Sequence, residues 1–488
     1  MLMVRFQVLV WHGVLSCIVE CHATIDILPD DIFLEIFAFC VHDPCKDFVQ
    51  LMGEWKRLVH VCQRWRQIIY ASPRYLDLFL YCSKGTPVRN LGCWPAFPIA
   101  MSYHGPDHED DAISILKHRD RVRFVDLSLT SSLVAAMQEP FPLLRHLELH
   151  ASDVPVLPGF LGGSAPCLQL VDLAGVAFPE LPTLLLSSRD LVFLHLEKIP
   201  LTGYISPEAM VAGLAVLTRL KTLRIGFQFW NFPPQQRTRH PDPSMRVVLP
   251  ALIEFAFWGH SEYLEDFVAQ LDAPRLDDFW TFLDRIDFLQ LPQLSLFITR
   301  TETLRFTRAR VGFTNQTFKI ELDRFDRTYG EFELVRPRFS LSTSHEWLGT
   351  HVAHVAHVVG QIFAMFSNVG YLYIRVSEDH PGWQDDIDSI EWLTFLHLFT
   401  TVETRILHVS GRLAGQVARA LEDIPGETVT EVLPSVYLLL FDDDMPVEST
   451  DQFVSLRQLY GRPVTIFDLE ALRLDLLDAY HRNRDQGS

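Results

Sequence analysis

Leu144-Arg-His-Leu-Glu-Leu149 and Leu168-Gln-Leu-Val-Asp-Leu173 place apolar residues at positions one, four and six of a six-residue run. A strand alternates its side chains between two faces. Positions four and six therefore face one side, and position five faces the other. The same template recurs as Val122-Val125-Leu127, Leu191-Leu194-Leu196, Leu220-Leu223-Ile225 and Leu252-Phe255-Phe257. Further copies are Leu276-Phe279-Thr281, Thr301-Leu304-Phe306, Val369-Leu372-Ile374 and Leu433-Val436-Leu438. The last members of the first eight copies are 22, 24, 23, 29, 32, 24 and 25 residues apart.

Between the strands the spacing turns helical. Ser206-Pro207-Glu208 is a cap, a first-turn proline and an acidic residue, and Met210, Leu214 and Leu217 follow. Ser261-Glu262 opens a second helix carrying Tyr263, Leu264, Phe267, Val268 and Leu271. Strand-helix units at a period of 20–30 residues resemble a leucine-rich-repeat solenoid. The expected fold class is therefore α/β, with an irregular solenoid over 120–470. The regular asparagine after each strand is missing: His150-Ala151-Ser152, Ala174-Gly175-Val176 and Glu197-Lys198-Ile199 stand in its place. Another arrangement must satisfy the backbone there. Residues 310–345, with Phe318-Lys319-Ile320 and Phe332-Glu333-Leu334, alternate like an inserted hairpin. Longer helices are predicted over Trp347–Phe366, Ile387–Phe399 and Gly411–Leu421. A final helix, Phe467–Tyr480 with Leu469, Leu472, Leu476 and Leu477, is expected to cap the array, so that 465–488 form a capping helix and tail.

Upstream, residues 26–76 read as a small helical domain. Leu28-Pro29 opens a helix, Asp30 and Asp31 suit its N-terminus, and Ile32, Phe33, Ile36, Phe37 and Cys40 form a wide apolar stripe. Trp55, Leu58, Val59 and Cys62 form a second stripe, and Trp65, Ile68 and Ile69 a third, ended by Pro73. A unit this short buries little core and calls for a staple or a partner. Leu28-Pro29, Ile32, Ile36-Phe37, Val61-Cys62, Trp65 and Ile69 together resemble the F-box. The segment from Phe37 to Val61 is longer than in most such modules. That middle, and the phrasing of 207–214 and 262–276, look like F-box proteins of mushroom-forming (basidiomycete) fungi. The resemblance implies that Leu28, Pro29, Ile32, Ile36, Phe37, Val61, Cys62, Trp65 and Ile69 form or support contact with a Skp-type adaptor. The plainer alternative is a helical hairpin belonging to a larger core.

Residues 77–119 hold Gly85, Pro87, Gly92, Pro95, Pro98, Gly105 and Pro106 and read as a linker. Residues 1–25 contain an apolar run, Phe6 to Val19, too short to span a bilayer. It is either a secretory signal or a packing segment. The eight cysteines include no Cys-x-x-Cys pair and fit a reducing compartment, cytoplasmic or nuclear. A formal charge of −19 argues against nucleic acid or an anionic membrane as main partner.

No phosphate-cradling glycine loop, nucleophile elbow or Cys–His signature appears, so no catalytic residue, cofactor or metal is expected. His351, His354 and His357 recur every three residues, which drifts around a helix, and read as surface histidines. Asp442-Asp443-Asp444 reads as a solvated turn. The outward fifth positions give a column: Asp126, Glu148, Asp172, His195, Arg224, Ala256, Trp280 and Arg305. Its acidic start invites a target presenting positive charge. The long loop 228–248 adds Trp230 and Phe232 as candidate anchors. The expected protein is a non-catalytic substrate receptor of a cullin ubiquitin ligase, binding the Skp-type adaptor and cullin core at one end and an unknown protein target along the repeats. The alternatives are a non-ligase leucine-rich-repeat scaffold and, on residues 6–19 alone, a secreted hydrolase.

Overall fold

The computed structural model describes residues 28–41, 57–72, 79–83, 97–228, 246–284, 291–313, 317–323, 338–344, 351–376, 388–441 and 450–468, apart from a few scattered positions. The chain is mixed α/β and divides into two compact units, Met1–Ser128 with Phe141–Leu144, and Leu129–Pro140 with Arg145–Ser488.

In the first unit, helices α1 (Asp30–Val41) and α2 (Gln63–Ala71) form a hairpin. The second apolar stripe is not one helix running through Cys62. The chain turns at 59–61, and Cys62 adopts an extended conformation (φ −155°, ψ 171°). Its thiol sulfur caps α2 by accepting the Trp65 N–H at 3.4 Å. Parallel strands β1 (Leu80–Ser83), β2 (Ile99–Tyr103) and β3 (Val122–Ser128) follow, with helix α3 (Glu109–Leu116). Sheet structure therefore starts at Leu80, inside the expected linker. Prolines and glycines surround β1 and β2 but leave each a short alternating stretch, Leu80 and Cys82, then Ile99, Met101 and Tyr103, facing the core.

Among the described residues, the second unit contains thirteen strands in one open, mostly parallel sheet. The first six are β4 (His146–Pro155), β5 (Leu170–Ala177), β6 (Phe193–Ile199), β7 (Thr222–Phe227), β9 (Glu254–His260) and β11 (Asp278–Asp284). All run parallel. A short pair, β8 (Val247–Val248) with β10 (Leu271–Asp272), lies apart from that sheet. Helices α4 (Ser131–Ala136), α5 (Leu181–Leu185), α6 (Pro207–Leu214), α7 (Ser261–Ala269) and α8 (Pro292–Arg300) alternate with the strands. From α5 to α8 each packs on the next. The predicted triplets from Leu144 to Thr281 are all buried.

The expected insert is a change of strand direction. β12 (Arg308–Phe313) pairs antiparallel with β13 (Thr317–Asp323), which pairs antiparallel with β14 (Phe339–Ser344). β14 then lies parallel to β11, and β12 parallel to β15 (Tyr371–Val376). Thr301-Leu304-Phe306 is consequently a turn leading into β12, and Arg305 is not on the strand face. Phe332-Glu333-Leu334 lies outside the described residues. Helices α9 (His351–Gln361), α10 (Ser389–His397), α11 (Leu413–Glu422) and α12 (Asp451–Leu459) pack in succession. They accompany β16 (Ile406–Val409), β17 (Leu438–Phe441) and β18 (Thr465–Asp468). The inward triplet of β17 is Val436-Leu439-Phe441, not Leu433-Val436-Leu438, because Leu438 sits on the other face. Phe467 belongs to β18, so no helix starts there, and the rest of the expected capping helix lies outside the described residues.

A main-chain ladder runs across the starts of the strands, at the opposite end from the missing asparagines. Arg145 O accepts the N–H groups of Gln169 and Leu170, and Gln169 O accepts those of Val192 and Phe193. Val192 O, Lys221 O and Ile253 O continue the pattern into the next strands, all at 2.8–3.2 Å. Thr307 O, Gly370 O and Arg405 O repeat it beyond the insert. A carbonyl has two lone pairs, so each rung joins two repeats without any side chain.

Candidate functional site

The helical hairpin sorts its apolar residues into two sets. Phe33 and Phe37, one turn apart, are fully buried against Trp65, with ring centroids 5.7 and 4.9 Å from the indole and 5.6 Å from each other. Arg64 locks the N-terminus of α1: its Nη2 donates to Leu28 O at 2.7 Å and to Asp30 at 2.8 Å, and its guanidinium lies 4.9 Å over the Phe33 ring. Ile69 completes this small core. The neighbouring face of α1 carries Ile32 and Ile36, 42% and 36% exposed, and the turn before α2 carries Val61, 59% exposed. Pro29 is exposed, while Leu28, Cys62 and Trp65 are half-buried. The nine residues singled out from the sequence thus divide between packing (Phe37, Ile69 and part of Trp65), capping (Cys62) and an outward apolar patch.

On β3 the Asp126 carboxylate accepts the Ser102 hydroxyl at 2.8 Å and lies 3.0 Å from His104 Nε2. It is a braced polar group of the first unit.

In the second unit, register brings the outward column into one row. Glu148 faces Asp172, Asp172 faces His195, His195 faces Arg224, and Ala256 separates Arg224 from Trp280. Beyond Trp280 the row continues through Ser340, Glu321, Arg310, Tyr373 and His408. His195 Nδ1 lies 3.0 Å from Asp172. Arg224 is held by Glu254, with Nε at 2.8 Å and Nη2 at 2.6 Å. Its guanidinium stands 5.8 Å from the rings of both Phe193 and Trp280, and Trp280 meets Trp258 edge-on at 4.5 Å. Farther along, Tyr373 stacks on His408 at 4.2 Å, and Tyr371 Oη lies 2.6 Å from His408 Nδ1.

Glu254, Phe193 and Trp258 were not among the sequence candidates because they belong to flanking columns and reach Arg224 or Trp280 diagonally. Arg310, Glu321 and His408 escaped because the template loses register at the insert. The signal for Glu321 was present: Phe318, Ile320 and Leu322 alternate inward, which puts Lys319 and Glu321 outward. Trp230 and Phe232 lie outside the described residues, as do Asp442-Asp443-Asp444, the run 6–19 and the side chains of His351 and His354. His357 is exposed and contacts Gln361 at 2.7 Å.

These groups suit recognition. Ion pairs and stacked rings on a strand face fix orientation and exclude poor partners. Among the described residues no group of three or more His, Cys, Asp or Glu side chains is placed to hold a metal, and no helix is long and apolar enough to cross a membrane. One apolar hollow, lined by residues including Leu173, Phe178, Leu196 and Ile205, has a volume of about 10 Å³, room for roughly one water. Set against known proteins, the chain matches no family model and no curated protein.

Proposed function

We propose that the protein is a substrate receptor of a cullin-based ubiquitin ligase, with an F-box-like hairpin that docks a Skp-type adaptor and a leucine-rich-repeat-like array that binds a protein target. Its role is to raise the concentration of target beside the ligase, without bond chemistry of its own. The observation that supports this is the sorting of the hairpin. Phe33, Phe37 and Trp65 pack on one side of the hairpin, which leaves Ile32, Ile36 and Val61 as an exposed apolar set beside them. The compartment that suits this role is cytoplasmic or nuclear.

Co-purification with a Skp-type adaptor and cullin tests the reading. Ile32→Asp with Ile36→Asp removes the outward face and leaves the Phe33–Phe37–Trp65 contacts in place. The double variant is expected to stay folded and to lose the adaptor. Equal recovery of adaptor with the variant and the unaltered chain rejects the ligase role and leaves a repeat scaffold whose hairpin is an end piece.

A further inference from the structure

Two tryptophans of the second unit stand beside small residues. Trp280 on β11 has Ala256 as its register partner on β9, and Trp258 on β9 has Gly226 as its partner on β7. Ala256 is fully covered. A Cβ on Gly226 would stand 3.3 Å from Cε3 and 3.6 Å from Cβ of Trp258, so that side chain lies against the bare glycine. The two indoles meet at 90° with centroids 4.5 Å apart, and both residues are half-buried. They form a corner of two perpendicular apolar planes on the outward face of the sheet.

Arg224 fixes one wall of this corner. Glu254 holds its guanidinium through Nε at 2.8 Å and Nη2 at 2.6 Å, and the group stands 5.8 Å from the Trp280 ring. A second cation on that ring would face Arg224 across it, and like charges at such a range repel. The corner therefore suits an uncharged ring or aliphatic side chain.

The other end of the row has the opposite character. Asp172 is four strand steps from Trp280, through His195, Arg224 and Ala256. One carboxylate oxygen of Asp172 meets His195 Nδ1 at 3.0 Å. A carboxylate has about four lone-pair sites, so acceptor capacity is left over. The side chain is 20% exposed, and its register partner on β4 is a second acid, Glu148. Like charges facing each other across strands are unfavourable, and a cation beside them relieves the repulsion. Strands lie about 4.8 Å apart, so four steps make about 19 Å, the reach of roughly six residues of extended chain.

We propose that this row binds an extended protein segment at two points. An arginine or lysine sits against Asp172 and Glu148, and an aromatic or aliphatic side chain about six residues away sits in the Trp258–Trp280 corner. Charge complementarity names the first contact and ring packing the second. The inference rests on the reading of the second unit as target-binding, and it gives the target a class: a basic residue and an apolar residue at a fixed separation in an extended stretch.

The test uses the full chain and pools of fourteen-residue peptides built from serine, glycine and asparagine. Each pool carries one arginine and one tryptophan at a single separation, from one to ten, in both orders. Affinity is expected to peak at a separation of about six. Removing the arginine from the best pool should weaken binding about fivefold, and removing the tryptophan about tenfold. Asp172→Asn should erase the preference for arginine and keep that for tryptophan, and Trp280→Ala should do the reverse. General loss of structure erases both preferences, so the crossed pattern belongs to the site alone. The separation series needs no variant and stands even where a variant fails to fold. A flat response to separation, or a variant that erases only the preference of the other end, overturns the proposal. Pools captured without an optimum remove the two-point class and leave target binding in place. Adaptor recovery is a separate readout, so the ligase role can fail while the optimum holds.

Discussion

His195 Nδ1 sits 3.0 Å from the Asp172 carboxylate across the neighbouring strands β6 and β5, with both side chains largely covered. The pair stands between Glu148 and Arg224 in the same row. Register thus turns residues 23 positions apart into one polar surface. A partly exposed pair of this kind contributes on the order of 1 kcal/mol or less to folding. Asp172→Asn should shift the denaturant midpoint only slightly while weakening target capture. A large loss of stability with unchanged capture would assign the pair to the framework.

The hairpin predicts opposite outcomes for adjacent residues. Phe37→Ala removes a fully buried ring that touches Phe33 and Trp65 and should cost roughly 3–5 kcal/mol in the hairpin. Ile36→Ser, on the exposed side, should stay within about 0.5 kcal/mol. Hydrogen exchange of the α2 amides in each variant reads the difference directly.

Glu265 on α7 predicts a pH dependence. Its carboxylate accepts the N–H groups of Gln293 and Leu294 at 2.8 Å each and so caps α8. Burial nevertheless pushes it up from 4.5 to about 7, the two N–H donors pulling the other way. Between those values the folded chain holds more protons than the unfolded chain, so stability falls as pH rises through this window. Its contribution is complete below 4.5 and lost through about 7. Urea midpoints at the two ends of the window should therefore drop for the unaltered chain and drop less for Glu265→Gln.

Gly175 lies inside β5 at its register shift against β4, with φ +69°, and a Cβ on it would stand 2.1 Å from Ala151 O. Both the backbone conformation and the space exclude a side chain. Gly175→Ala should cost about 2–4 kcal/mol, the range of a strained position joined to a clash. Thermal unfolding checks it, and a neutral result would show that β4 and β5 separate freely at that end.

The inward triplets were legible because a buried strand position between a sheet and a helix accepts almost only apolar side chains. Where that rule held, from Leu144 to Thr281, the sequence reading and the structure agree. It failed where chain direction changes, since Phe318, Ile320 and Leu322 alternate equally well in either direction. It failed again in 77–119, where dense punctuation hid β1 and β2. The row from Glu148 to Trp280 followed from alternation alone, but the Arg224–Glu254 pair did not. Glu254 lies opposite Thr222, and only the diagonal reach of an arginine brings the two charges together. Nor does apolarity distinguish Ile36 from Phe37, because the angle at which α2 crosses α1 decides which of them is covered.

The carbonyl rungs at Arg145, Gln169, Val192, Lys221 and Ile253 have a consequence for how this protein can change. What stitches one turn of the array to the next is indifferent to the genetic alphabet, save for proline, which has no hydrogen to give at a donor position. The lettering on the open face is therefore free to be rewritten while the binding of the book stays intact.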